Sequence, residues 1–140
     1  MSAFGSFSAY AQAPDRYSEL DAIKNRTLLR LRDLDLVSRG MEGPEKTIAT
    51  DINHKHELAG TLIGNGQDII YFMMLADGRE KNTQLVYGQI RLKQLIQMLD
   101  QEMRELTTLI ENTANPLNMR SSAGLRGTLS DVAAILKSVE

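Results

Sequence analysis

The stretch that decides the fold runs from Lys81 to Asn112, KNTQLVYGQIRLKQLIQMLDQEMRELTTLIEN. Leu85, Leu92, Leu99 and Leu106 recur at heptad spacing, and Leu95, Ile96, Met103, Leu109 and Ile110 fill the neighbouring positions. An apolar stripe of that period and width belongs to an amphipathic helix in a bundle; a two-position coiled-coil seam is narrower. Gln94, Gln97, Gln101, Arg104, Glu105 and Thr108 fall on the other, solvated side, where Asp100 is spaced to pair with Arg104. Asn82 or Thr83 can accept from the free amides at the start. The run from Asn112 to Pro116 ends the helix, because proline disfavours helical geometry in the residue before it. At about 1.5 Å per residue the rod is roughly 45 Å long, and its apolar side needs a cover along its whole length. The chain's own helices can supply that cover and make the stripe a core; a second protein copy would make it a seam.

Working back from this rod, Asp77 and Gly78 turn the chain, and a segment opened by Gly43 and Pro44 precedes them. Ile48, Ile52, Ala59 and Leu62 sit at helical intervals, and the period continues through Ile69, Ile70, Met73 and Met74 if the glycines are tolerated. The preferred reading is two helices with a kink around Gly64, Asn65 and Gly66. The alternative is a hairpin over 58–75, with strands Leu58 to Ile63 and Asp68 to Leu75, which makes the fold α+β. Helices are preferred because a lone hairpin is marginally stable and no third strand is on offer. Earlier still, Pro14 in a first turn with Asp15, Glu19 and Asp21 opens a helix carrying Tyr17, Leu20, Ile23, Leu28, Leu31 and Leu34, with Gly40 as a left-handed terminator. Beyond the rod, residues 117–127 read as a loop broken by Ser121, Ser122, Gly124 and Gly127. Thr128 and Asp131 then resemble a capping box for a short last helix with Leu129, Val132, Leu136 and Val139. Residues 1–13 are small and polar apart from Phe4, Phe7 and Tyr10. They read as a flexible N-terminal arm able to dock on a neighbour or on its own bundle, ahead of a single helical domain over 14–140. The expected fold class is mainly α: an elongated helical bundle or hairpin built on the long helix at 81–112.

A chain of 140 residues with 42% hydrophobic residues can bury one core. The formal charge of −2 comes from 16 basic and 18 acidic residues, with no basic excess in either half of the kind that nucleic-acid binding draws on. The absence of cysteine excludes disulfides and thiolate metal sites and fits a reducing compartment. The longest apolar run, Ile69 to Ala76, is far short of the roughly 20 residues that span a bilayer. The chain therefore reads as soluble, cytoplasmic or part of a large assembly.

Chemistry-bearing patterns are sparse. His54, Lys55, His56 and Glu57 are the only histidine cluster; on a helix Asp51, His54 and Glu57 share a broad face from which His56 diverges, and the two-histidine helical zinc motif is absent. Gly60, Gly64 and Gly66 match neither the phosphate loop nor the dinucleotide fingerprint, and no strained Gly-x-Ser-x-Gly turn is present. There is no tryptophan to build a stacking platform. No catalytic residue, cofactor, metal or small-molecule substrate is expected. The expected function is a non-enzymatic helical structural, assembly or adaptor protein. It would contact itself or another protein, as a virion component, a secretion-apparatus part or a helical chaperone does. Seven methionines suit an adaptable interface. Expected interaction residues are Phe4, Phe7, Tyr10, Leu85, Leu92, Leu99, Met103, Leu106, Arg26 and Arg30. Two alternatives are kept: a small nucleic-acid-binding subunit using Arg26, Arg30, Arg32, Arg39, Arg120 and Arg126, and a metal-dependent enzyme centred on Asp51, His54, His56 and Glu57.

Overall fold

A computed structural model describes residues 13–76 and 81–140. Among the described residues four helices pack together: α1 Ala13–Ser38, α2 Gly43–Met74, α3 Lys81–Asn112 and α4 Pro116–Lys137. No strand occurs among the described residues. Each helix packs on the next in the chain, and α4 also packs on α1 and α2, so the four enclose one core. One end of the bundle holds the start of α1, the end of α2, the start of α3 and the end of α4. There Gln67 of α2 donates to the Tyr17 carbonyl of α1, and Gln89 of α3 donates to the Val139 carbonyl just beyond α4.

The long helix has the boundaries read from its stripe, and its cover is internal. Leu92, Leu99 and Leu106 are fully buried against the chain's own helices, in one cluster with Leu62, Ile63, Ile70, Leu129, Val132 and Leu136. Leu85, Met103 and Leu109 flank that cluster half-buried. On the outer face Arg104 donates to Gln101 Oε1 at 2.7 Å, in place of the expected pairing with Asp100.

Five expectations about the other elements are corrected. The 58–75 hairpin does not form, and neither does the kink at Gly64–Gly66: α2 is one uninterrupted helix of 32 residues. Its buried positions Ala59, Leu62, Ile63, Gly66, Ile70 and Met73 keep helical spacing, with Tyr71 and Phe72 turned outward. Gly66 serves packing: a Cβ there would lie 3.0 Å from Leu136 Cδ2 and 3.4 Å from Leu95 Cδ2, so its smallness lets α3 and α4 close on α2. Gly40 is not left-handed; it closes a turn by donating to the Val37 carbonyl, and the positive φ of 64° belongs to Gly43. The supposed loop at 117–127 is the first half of α4. Asn115 is its N-cap, accepting from the amides of Leu117 at 2.8 Å and Asn118 at 3.3 Å, and Pro116 holds the first helical position. Thr128 caps nothing; its hydroxyl donates back to the Gly124 carbonyl inside the helix.

The opposite end is tied by a polar clasp. The Glu45 carboxylate, in the first turn of α2, accepts from Thr113 Oγ1 at 2.6 Å, the Ala114 amide at 2.9 Å and Asn118 Nδ2 at 3.1 Å. Asn118 Nδ2 also donates to the Glu45 carbonyl. One side chain thus fixes the α3–α4 turn to α2. The Thr113 hydroxyl first, then the Ala114 amide, holds the Glu45 carboxyl below the usual carboxylate range.

Candidate functional site

With the α3 stripe occupied internally, the large apolar side chains open to solvent lie elsewhere, some along α1 at Leu28, Leu29, Leu36 and Val37 and one group at the α2–α3 end. Tyr71 and Phe72 of α2, with Leu75 one turn on at its C-cap, face out; along α3, Val86 and Tyr87, with Ile90 one turn on, do the same. The two sets join where Phe72 and Tyr87 meet edge to face, ring centroids 5.7 Å apart. Exposure runs from 37% at Phe72 to 59% at Val86, so the six side chains form one apolar surface instead of scattered single residues. Its base is tightly built. A Cβ on buried Gly88 would lie 2.3 Å from Met73 Cγ, which means that α2 and α3 approach here as closely as a glycine allows.

Around the core, a few charged residues hold helices together. Lys55 of α2 bridges Glu102 at 3.0 Å and Glu105 at 2.9 Å on α3. Burial alone would lower the lysine pKa, but the hydrogen bonds and charges of Glu105 and Glu102 outweigh it and raise the pKa overall. Buried Gln67 accepts from Lys24 Nζ at 2.9 Å and donates to Tyr17 and Asp21, which satisfies its amide and staples α1 to α2.

The residues expected from sequence fall in different places. Leu92, Leu99 and Leu106 are core, and Leu85 and Met103 line its edge, so these positions hold the bundle together. Phe4, Phe7 and Tyr10 lie outside the described residues. Arg26 and Arg30 are exposed on α1, and Arg30 donates to Thr128 Oγ1 of α4 at 2.9 Å. The other arginines do not gather into a stripe: Arg39 pairs with Asp35, and Arg126 donates to Thr107.

The histidine cluster is split by the helix that carries it. His54 is exposed between two grooves, sharing one with Asp51 and Lys55 and the other with Glu57 and α1 residues. His56 points inward and is 2% exposed. Among the described residues no group of three or more His, Asp or Glu side chains is placed to hold a metal ion. His56 Nδ1 lies 3.0 Å from the Ile52 carbonyl, so Nδ1–H donates to it. Burial above all, helped by the positive charge of Arg30, pushes the imidazole pKa below its ordinary value.

The exposed patch is hard to see in the sequence because the heptad leucines dominate the pattern and mask the second apolar set on the same helix. Val86, Ile90 and Tyr87 do carry the signal, being too many large apolar residues for one face. No described helix is long and apolar enough to cross a membrane. No protein-family model, characterised protein sequence or solved structure shows significant similarity to the chain.

Proposed function

We propose that this protein is a non-enzymatic helical assembly or adaptor protein that works by contact with other protein chains. The observation that carries the proposal is the continuous surface of Tyr71, Phe72, Leu75, Val86, Tyr87 and Ile90. Six exposed aromatic and aliphatic side chains on two adjoining helices form the kind of surface that soluble chains reserve for partners. A second copy of the chain is the partner this surface suits first. Two antiparallel helices presented to their own two-fold mate close a four-helix layer, and apolar patches of this kind are typical of isologous interfaces. Membership of a virion, a secretion apparatus or a chaperone system is the finer part of the proposal, and the proteins that accompany the native chain decide among them.

The test is native mass as a function of concentration, for the wild type and for the triple variant Tyr71→Ser, Tyr87→Ser, Ile90→Ser. These side chains are about half exposed, so the variant is expected to fold. The wild type should grow in mass with concentration and the variant should stay at the 15.6 kDa of one chain. A wild type that remains a single chain throughout, or a variant that associates equally well, overturns the proposal.

A further inference from the structure

Between the C-terminal half of α1 and the N-terminal half of α4 the bundle is incompletely closed. A cleft of about 470 Å³ opens there, walled by Asp33, Leu34 and Val37 of α1 and by Leu117, Arg120 and Gly124 of α4, with His56 of α2 at its floor. That volume lies within the range of small-ligand sites, ~300–1,000 Å³.

The polar groups in it are specific. Because Nδ1–H of the buried imidazole donates to Ile52, the neutral ring leaves Nε2 as an acceptor, and Nε2 has no hydrogen-bond partner among the described residues. Nε2 is not among the side-chain atoms sealed in the core without a partner, so this acceptor is reachable from solvent, and His56 lines the cleft. On the rim the Arg120 guanidinium has no partner among the described residues either, whereas Arg30 is engaged with Thr128. A guanidinium fork matches a carboxylate. Arg30 also lines the cleft, so two guanidinium charges face the single Asp33 carboxylate, and the net of one positive charge suits a monoanion better than a dianion such as a phosphate monoester. Val37 and Leu117 expose apolar surface to the space between them, and Leu34 lies beneath. The wall is lowest at Gly124, where an added Cβ would meet nothing within 4 Å.

We propose that this cleft binds a small apolar carboxylic acid that also carries a hydroxyl or N–H donor. The carboxylate pairs with Arg120, the donor reaches His56 Nε2, and the apolar body lies beside Gly124 between Leu34, Val37 and Leu117. The site is separate from the apolar surface at the α2–α3 end and stands without it.

The probe is p-hydroxyphenylacetate, compared with phenylacetate, which lacks the donor, and p-hydroxyphenylethanol, which lacks the carboxylate. Imidazole nitrogen-15 shifts report binding, with exposed His54, the only other histidine, as internal reference. A saturable shift at His56 Nε2 is expected with the first probe, and affinities about tenfold weaker or worse with the other two. Arg120→Gln should weaken binding of p-hydroxyphenylacetate and leave that of p-hydroxyphenylethanol unchanged. Gly124→Leu should fill the cleft and abolish binding of all three while the helical spectrum is kept. A His56 resonance that does not move up to the solubility of the probe overturns the proposal. Binding that survives Gly124→Leu, or that ignores loss of the Arg120 guanidinium, overturns it as well.

Discussion

Replacing a helical glycine by alanine should have opposite signs at two places in this bundle. At Gly124, on the exposed side of α4, a methyl group meets no neighbour within 4 Å. Only the helix propensity changes there, and Gly124→Ala should stabilise the fold by about 0.5–1 kcal/mol. At Gly88 the same methyl would lie 2.3 Å from Met73 Cγ and 2.6 Å from Met73 Sδ. A carbon pair needs roughly 3.5 Å or more, so either Met73 leaves its place or α2 and α3 move apart by more than 1 Å. Overpacking of this kind costs about 1–3 kcal/mol, which exceeds the same propensity gain. Gly88→Ala should therefore destabilise, by about 1–2 kcal/mol net. Urea unfolding followed by circular dichroism reads both variants, and a third measurement identifies the cause. In a Met73→Ala background the obstructing atoms are gone, and Gly88→Ala should turn neutral or stabilising. If Gly88→Ala raises the urea midpoint in the wild-type background, the close approach of α2 and α3 is wrong.

Other substitutions probe the remaining joints. Leu99→Ala removes a fully buried core side chain and should cost roughly 3–5 kcal/mol, whereas Ile90→Ala on the exposed face should change folding stability by less than about 0.5 kcal/mol; denaturant titration of the pair checks the assignment of the two faces of α3. Lys55→Ala leaves Glu102, whose side chain is 14% exposed, without its cation and should cost ~1–2 kcal/mol, seen as a lower urea midpoint. Acid should weaken the fold in two steps. His56 has a folded pKa below the ordinary 6.5, so stability present above pH 6.5 is lost as pH falls through its lowered value; Glu45, held below 4.5, adds a second loss under pH 4.5. Melting temperature against pH should show both. His56→Gln should flatten the first step alone and Glu45→Gln the second alone.

The parts of the fold legible in the sequence are those where buried positions are filled by large apolar residues. The α3 stripe has leucine at its central buried positions, so both its ends and its inner face could be read directly. In the first half of α4 the same inward positions are occupied by Asn118 and Ser122, both fully buried, and apolar periodicity begins only at Leu125. Hydrogen bonding to Glu45 is what makes Asn118 acceptable there, and a partner so distant in sequence leaves no local trace. The start signal, Asn115 before Pro116, coincides with the stop signal of α3, so the sequence alone shows it as an end. In α2 the buried stripe passes through Ile52, His56, Ala59, Ile63, Gly66, Gln67 and Ile70. Two polar side chains and a glycine interrupt it, and so resemble a surface cluster and a turn. Their burial depends on α1, α3 and α4 lying against them. The cleft at His56 is likewise a product of tertiary packing: Asp33, His56 and Arg120 come from three helices, and no spacing in the chain joins them.

Sedimentation equilibrium of the full chain over a wide range of concentration, run beside the variant with serine at positions 71, 87 and 90, bears most directly on the claim that this protein acts through its exposed α2–α3 surface. The expected result is a mass that climbs from 15.6 kDa toward twice that value in the wild type and does not climb in the variant. A wild type that stays at the mass of one chain at every concentration would contradict it.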